Sequence, residues 1–350
     1  MTEIHIRHKF TMMLYLAMTS MGWAQNVVPT YQLDSIIRND DLNLKKIAYR
    51  YDNIGNVTMK KYYIKRNNVW LLCDSTVYTY IGNNKTSATL YGIEENEVVP
   101  FSLTEYYYNN GVLYKETKYS FAASTWLPIQ EKDYEYTDDM ISIERTYSLE
   151  KGRKSLVTTT QYSYNDGLLR SKQTDHHLGD GTTNPCMRWI YTWSDGTTPK
   201  CTQIKICEYN LHQWQISEQD TFIYDEAGVL IGKYDEVGWG NGVIDFIQKT
   251  EFCYDISGNI ISIRYYNKTG ENAWQPVYDT HFMYNSNIPL DNIVNTTLVR
   301  ELWGIDIGIP THSFAIQHCN NMPTAIVTLD APHPDNIDEY TQYYYSILEE

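Results

Sequence analysis

Nine pairs of aromatic residues, the two members of each separated by one residue, recur along the chain at nearly fixed spacing. In order they are Tyr49/Tyr51, Tyr78/Tyr80, Tyr106/Tyr108, Tyr134/Tyr136, Tyr162/Tyr164, Tyr191/Trp193, Phe222/Tyr224, Phe252/Tyr254 and Phe282/Tyr284. Between successive second members the steps are 29, 28, 28, 28, 29, 31, 30 and 30 residues. A constant period of this size marks an array of equivalent units, none of which can bury its apolar face alone.

Within a unit the residues describe a hairpin. The aromatic pair runs into Asp52, Gly55 and Asn56, into Asn109-Asn110-Gly111, into Asn165-Asp166-Gly167, into Ser194-Asp195-Gly196, or into Asp255, Gly258 and Asn259. Asp and Asn side chains bond their own backbone in turns, and Gly supplies positive φ. Each turn then releases into a short apolar run such as Leu168-Leu169 or Ile260-Ile261, so a unit is two strands and a turn. The composition agrees, with 32 Tyr, 9 Trp and 8 Phe in 350 residues, a profile suited to strands. The expected fold is all-β: tandem antiparallel hairpins of 28–31 residues forming one elongated, twisted or spiralling sheet.

Trp70, Trp126, Trp214 and Trp274 each lie ten residues before the second aromatic of their unit. Side chains alternate along a strand, so this even spacing in a regular strand puts each Trp on the face of the aromatic pair. Glu131, Asp133 and Glu135 fall on the opposite face, while Gln130, Lys132, Glu218 and Asp220 interrupt the aromatic one. An outer-membrane barrel, whose strand lengths fit, is disfavoured because neither face then offers a continuous apolar band.

The chain divides into a signal peptide over 1–24, an N-terminal cap strand over 25–45, the hairpin repeats over 46–287, and degenerate repeats or a C-terminal cap over 288–350. The leader reading rests on Arg7 and Lys9 ahead of the apolar run Thr11–Met21, with Gly22-Trp23-Ala24 placing cleavage after Ala24. That run is shorter than the ~20 residues a membrane span needs. The expected destination is the periplasm, the cell surface or the medium. In the last segment His312-Ser-Phe314 and Tyr343-Tyr-Tyr345 keep the spacing of the pairs.

Removing the leader leaves 42 acidic residues against 26 basic. Such a surface repels nucleic acid and anionic membranes. Six cysteines in an exported chain permit disulfides, and Cys186 and Cys201 flank the turn at Ser194-Asp195-Gly196 almost symmetrically, which suggests one bridge across that hairpin.

The chain has no Gly-x-Ser-x-Gly, His-Glu-x-x-His, Walker or dinucleotide signature. Asp175, His176, His177 and Asp180 form the densest cluster of metal-ligating types, but adjacent histidines on a strand point to opposite faces. Polar residues recur because the repeat recurs, so no catalytic or metal residue and no cofactor is assigned. The recurrent Trp residues suit either the core between units or a platform for sugar rings.

Tyr49-Arg-Tyr-Asp-Asn-Ile-Gly-Asn56 and Phe252-Cys-Tyr-Asp-Ile-Ser-Gly-Asn259 resemble the Tyr-Asp (YD) repeat of Rhs-type and teneurin-type surface proteins. With the leading Trp, the unit is also similar to tyrosine-rich repeats of secreted proteins from Gram-negative bacteria. The likeness covers about residues 46–287, although the period is longer than usual for Rhs-type proteins and Tyr80 and Tyr136 are followed by Ile81 and Thr137, not Asp. The resemblance implies an extracellular, all-β, non-enzymatic protein. The function expected is thus a secreted or cell-surface binding or structural module with a protein or glycan partner. The alternatives are a carbohydrate-binding protein using Trp70, Trp126, Trp214 and Trp274, and a hydrolase with its site in an irregular region over 175–201.

Overall fold

The computed structural model describes residues 30–40, 43–238, 244–271, 273–293, 320–330 and 337–347. Among them are twenty strands and one short 3-10 turn, Leu290–Asn292. The first five strands are β1 (Tyr31–Asp40), β2 (Asn43–Tyr51), β3 (Val57–Arg66), β4 (Val69–Ile81) and β5 (Asn84–Glu94). They are followed by β6 (Glu97–Asn109), β7 (Val112–Ala122), β8 (Thr125–Thr137), β9 (Met140–Glu150) and β10 (Arg153–Asn165). Next come β11 (Leu168–His177), β12 (Thr183–Trp193), β13 (Cys201–Asn210), β14 (Gln213–Tyr224) and β15 (Leu230–Gly238). The last are β16 (Ile244–Tyr254), β17 (Ile260–Lys268), β18 (Trp274–Pro289), β19 (Asn321–Asp330) and β20 (Ile337–Ile347).

The all-β hairpin array is the one the period predicts, but it closes. Every strand pairs antiparallel with its successor, and β20 pairs back onto β1 from Tyr31↔Ile347 to Asp40↔Glu339. The sheet is an up-and-down barrel, and closure removes the open edges that an elongated array would need caps to cover. Residues 31–40 are accordingly a wall strand and not a cap. At the other end Tyr343/Tyr345 on β20 is a tenth aromatic pair. β18 pairs directly with β19, so no strand of a degenerate unit stands between them. His312-Ser-Phe314 and the leader lie outside the described residues.

The paired register separates two faces. One carries the aromatic pairs, and nearly all strand residues of the buried apolar cluster belong to it, among them Leu33, Ile36, Tyr49, Ile204, Phe222, Phe252, Ile263 and Phe282. The other face exposes Ile190, Ile223 and Met283. In a closed sheet side chains converge on the concave side, so the aromatic face is the lumenal one and the second face is the outer wall.

Both rims are bulged, as barrel rims commonly are. At the rim where the aromatic pairs end, the register skips one residue on each following strand: Thr58, Tyr114, Arg170, Thr202, Ile231 and Ile261 among them. A bulge disrupts the ladder, leaving backbone groups that need partners. The second aromatic of the next unit supplies a donor. The hydroxyls of Tyr80, Tyr136, Tyr224, Tyr254 and Tyr284 donate to the carbonyls of Val57, Leu113, Cys201, Leu230 and Ile260, at 2.6–3.0 Å. In the unit where Trp193 replaces Tyr, its indole N–H donates to the Leu169 carbonyl at 2.8 Å. Tyr51 on β2 makes the same bond to Leu33 at 2.7 Å, where β1 bulges against β20 at the closing seam. Each acceptor immediately precedes a bulged residue.

Turns add a second set of ties. Asp255 accepts hydrogen bonds from the backbone and side-chain N–H groups of Asn259, both at 2.8 Å. Asn259, 1% exposed, also donates to Asn321 Oδ1 and accepts from the N–H groups of Asn320 and Asn321. Gly258 in this turn has φ +80°, where an L side chain is strained, and a Cβ there would lie 3.2 Å from Asn320 Nδ2. Opposite this rim, two-residue turns hold both central residues at positive φ, including the non-glycine pairs Ala123/Ser124 and Leu211/His212. This is the hairpin turn whose twist matches the flanking strands.

Two outcomes follow. Tyr254→Phe, which keeps the ring and removes the donor, is expected to cost about 1–2 kcal/mol in a urea titration; an unchanged midpoint would show the staple to be dispensable. Leu211 and His212 sit at φ 50° and 61° without the freedom of glycine. Leu211→Asn with His212→Gly should therefore stabilise by roughly 1–2 kcal/mol, raising the same midpoint.

Candidate binding surfaces of the barrel

The four tryptophans do not share the face of their aromatic pairs. On β4, Trp70 pairs with Lys65 and Leu72 with Tyr63, but Asp74 pairs with Tyr62, so the register skips Cys73 and the strand turns over. The same skip occurs at Ile129 on β8, Ser217 on β14 and Val277 on β18. An even spacing that includes one bulge reverses the parity, and Trp70, Trp126, Trp214 and Trp274 stand on the outer wall near the rim opposite the aromatic pairs.

There each indole is half-buried and braced. Trp126 meets Phe121 edge-on at 5.0 Å, and Trp214 meets Tyr209 at 5.2 Å. The Arg188 guanidinium lies 4.3 Å from the Trp214 ring, and the Lys249 ammonium lies 5.4 Å from Trp274, which also tilts against Tyr234 at 5.7 Å. Such contacts fix aromatic rings against a sheet while leaving an edge or a second face accessible.

Elsewhere the outer wall carries ion pairs beside exposed apolar side chains such as Ile190, Ile223 and Met283. Glu131 pairs with Lys115 at 3.1 Å and with Lys154, Asp133 also pairs with Lys154, and Arg145 pairs with Glu135. Lys249 with Glu251 and Arg264 with Asp279 continue the pattern. Hydrogen bonding from Lys249 and Tyr266 holds the Glu251 carboxyl below the usual glutamate range. A strand face laid against lipid would meet a cost of about 2–4 kcal/mol for each Lys or Arg near the bilayer midplane.

The lumenal face is aromatic at one rim and polar along its middle, with one deeply buried charge cluster. Asp220 on β14 is 5% exposed, and its Oδ2 lies 3.1 Å from Lys233 Nζ on β15. Lys233 also pairs with Asp235 two residues further along. Burial, reinforced by the neighbouring Asp235 carboxyl, pushes the Asp220 carboxyl up to about 7. Asp220 Oδ1 has no hydrogen-bond partner.

The region over 175–201 is not irregular. It comprises the end of β11, a turn, all of β12 and the turn at Ser194–Lys200. Asp175 accepts a hydrogen bond from Gln173, and His177 contacts the hydroxyls of Thr159 and Thr183. His176 faces the lumen and His177 the outer wall, so the cluster does not converge. Asp180 lies in the turn, its carboxyl held low by the Thr182 hydroxyl and N–H. Among the described residues no group of three His, Cys, Asp or Glu is placed to hold a metal.

Cys186 and Cys201 do not form the expected bridge. Cys201 pairs with Trp193 at one end of the β12–β13 hairpin, while Cys186 lies beyond the Met187↔Glu208 pair at the other. The intervening length of strand, roughly 20 Å, far exceeds disulfide reach. Both are free thiols, as are Cys73, Cys207 and Cys253. Burial pushes the Cys201 thiol up to about 12, which makes it inert. The repeat-defining Tyr51, Tyr80, Tyr136, Trp193, Tyr224, Tyr254 and Tyr284 are the staples described above, and Tyr108 and Tyr164 occupy the equivalent lumenal positions. The Asp220–Lys233–Asp235 cluster left no motif in the sequence; the only signal was that charges fell on the aromatic face.

No family model and no curated protein matches this chain. Solved structures with partial likeness include a protein of unknown function from Bacteroides fragilis, 16% identical with a TM-score of 0.30, covering 34% of this chain and 89% of that one. A porin-like protein from Bacteroides uniformis is 11% identical with a TM-score of 0.35, covering 69% of this chain and all of that one. The TcdB2–TccC3 complex is 9% identical with a TM-score of 0.31, covering 88% of this chain but only 19% of that one. Likeness of this grade carries no function across.

With 5-fluorotryptophan labelling, the resonances of Trp70, Trp126, Trp214 and Trp274 are expected to show larger solvent-isotope shifts than that of Trp193, whose N–H is tied to the wall. Equal shifts would place the four indoles on the lumenal side.

Proposed function

We propose that this chain is an exported, non-catalytic barrel whose outer wall serves as a contact surface for a protein or glycan. The observation that carries this reading is the pairing of a water-facing, salt-bridged wall with four braced indoles along one rim. A wall of regular strands repeats its chemistry at each hairpin and so offers an extended surface instead of a single pocket. Deeply buried groups such as Cys201 and the Asp220 cluster lie on the other side of the sheet, away from a partner of that size.

Carbohydrate binding is a more specific form of the same proposal, favoured by the position of the tryptophans. Indoles packed among the lumenal aromatics would be core. On the outer wall they are only half-buried, which leaves indole surface for stacking on a pyranose ring. The leader, the acidic balance and the repeat signature support export to the cell surface or the medium.

A glycan array probed with the full chain, run beside a pull-down from envelope and culture medium, tests both forms. Glycan binding that falls at least about tenfold in Trp126→Ala and Trp214→Ala, a loss of about 1.4 kcal/mol or more, would support the sugar reading. A protein partner captured equally by those variants would leave the module reading without the glycan. Hydrolysis of any arrayed glycan, abolished by Asp175→Ala, His176→Ala or His177→Ala, would replace both with an enzyme.

A further inference from the structure

We propose that Lys233 and Asp220 condense to an intramolecular isopeptide bond, an amide between Lys233 Nζ and Asp220 Cγ that covalently ties β14 to β15. The geometry already brings amine and carboxyl into contact. Nζ lies 3.1 Å from Asp220 Oδ2, and the two side chains are only 13% and 7% exposed. They meet diagonally across a paired ladder, Phe222 opposite Lys233 and Asp220 opposite Asp235, so neither can drift away without breaking the sheet. Asp220 Oδ1 is buried and accepts no hydrogen bond, and the Asp235 carboxyl stands beside that of Asp220, so two carboxyls crowd one ammonium.

The surroundings supply the other requirements. The Phe222 ring lies 5.8 Å from Nζ, and Thr250 and Tyr265 follow on the next two strands of the same face. Removal from water favours the neutral amine and acid over the ion pair. Burial raises the Asp220 carboxyl toward neutrality, although the two carboxylates also hold the proton on Lys233 against burial. Asp235, 17% exposed and in contact with Nζ, is the second carboxylate that such a condensation needs.

The step balances without an external reagent. A proton passes from the Lys233 ammonium to the Asp220 carboxylate, and the freed amine attacks Asp220 Cγ. The Asp235 carboxylate removes a second proton from the nitrogen and returns it to the departing hydroxyl. The C–N bond forms, one C–O bond breaks, and one water leaves; nothing is oxidised or reduced. Asp235 acts through proton transfer and is not itself joined.

Mass spectrometry of the full chain under denaturing conditions tests the bond. The expected mass is about 18 Da below that of the processed sequence, the loss of one water. Proteolysis should yield a branched peptide joining Asp220 to Lys233, with no tryptic cleavage after Lys233. Lys233→Arg and Asp220→Ala should each restore the full mass and give linear peptides; because the mass is read on denatured chains, the result does not depend on how well a variant folds. Asp235→Asn should leave a mixture of linked and unlinked chains. Wild-type protein at full mass, cut normally after Lys233, would overturn the proposal, as would a branch elsewhere that persists in Lys233→Arg.

Discussion

The hydrogen bond from an aromatic side chain to the carbonyl just before the neighbouring bulge is the interaction on which the barrel depends. A long meander of hairpins with few aliphatic residues has little to hold each hairpin to the next beyond the ladder itself. At the rim of the aromatic pairs the bulge interrupts that ladder, and in most units the next Tyr or Trp restores what is lost with its polar tip while its ring buries apolar area. Ring and donor act together: the ring fixes the donor's position, and the donor explains why Tyr is preferred to Phe at the second position of the pair. Phe is found only at the first positions, Phe222, Phe252 and Phe282, which make no such bond to a bulge. Trp193 obeys the same logic, since an indole N–H can replace a phenol O–H as donor.

The staple also explains the near-constant period. Donor and acceptor stand 23 or 24 residues apart in every unit from Tyr80 onward that makes the bond, because one long strand, one tight turn and one strand separate them. The longest step, from Trp193 to Tyr224, comes from the turn at the staple's own rim, which takes eight residues from Trp193 to Cys201 against five from Tyr108 to Leu113. At the seam the separation falls to 18 residues, since β1 and β2 are short, and the bond is nonetheless kept. Closure is therefore one more instance of the unit contact and not a special joint.

Most of this was legible in the sequence up to the hairpin. The aromatic pairs, the Asp and Gly of the turns and the alternation of Glu131, Asp133 and Glu135 against Lys132 are local properties, and local periodicity reports them. Two things were not. A bulge is one residue in a strand that otherwise alternates, and Cys73, Ile129, Ser217 and Val277 share no residue type that announces it, so the tryptophans were read on the wrong face. Closure joins residues 31–40 to residues 337–347, a pairing of ordinary strands some 300 positions apart that no local pattern encodes. The Cys186–Cys201 expectation failed for a related reason. Symmetry about a turn in sequence became distance along a hairpin once the register was known.

The contrast between the two faces locates what remains of function. On the outer wall charges pair in water, where each exposed pair contributes about 1 kcal/mol or less, so substitutions there are tolerated. On the lumenal face Asp220, Lys233 and Asp235 are removed from water, where an ion pair must offset a desolvation penalty of several kcal/mol per charge. Apolar side chains of similar volume would fill that space at no such cost, as Ile204 and Phe222 do beside it. Three charged side chains placed under that penalty are difficult to justify as packing. Conversion of the pair to a neutral amide removes two buried charges in a single step, and it ties covalently a barrel whose five described cysteines make no disulfide.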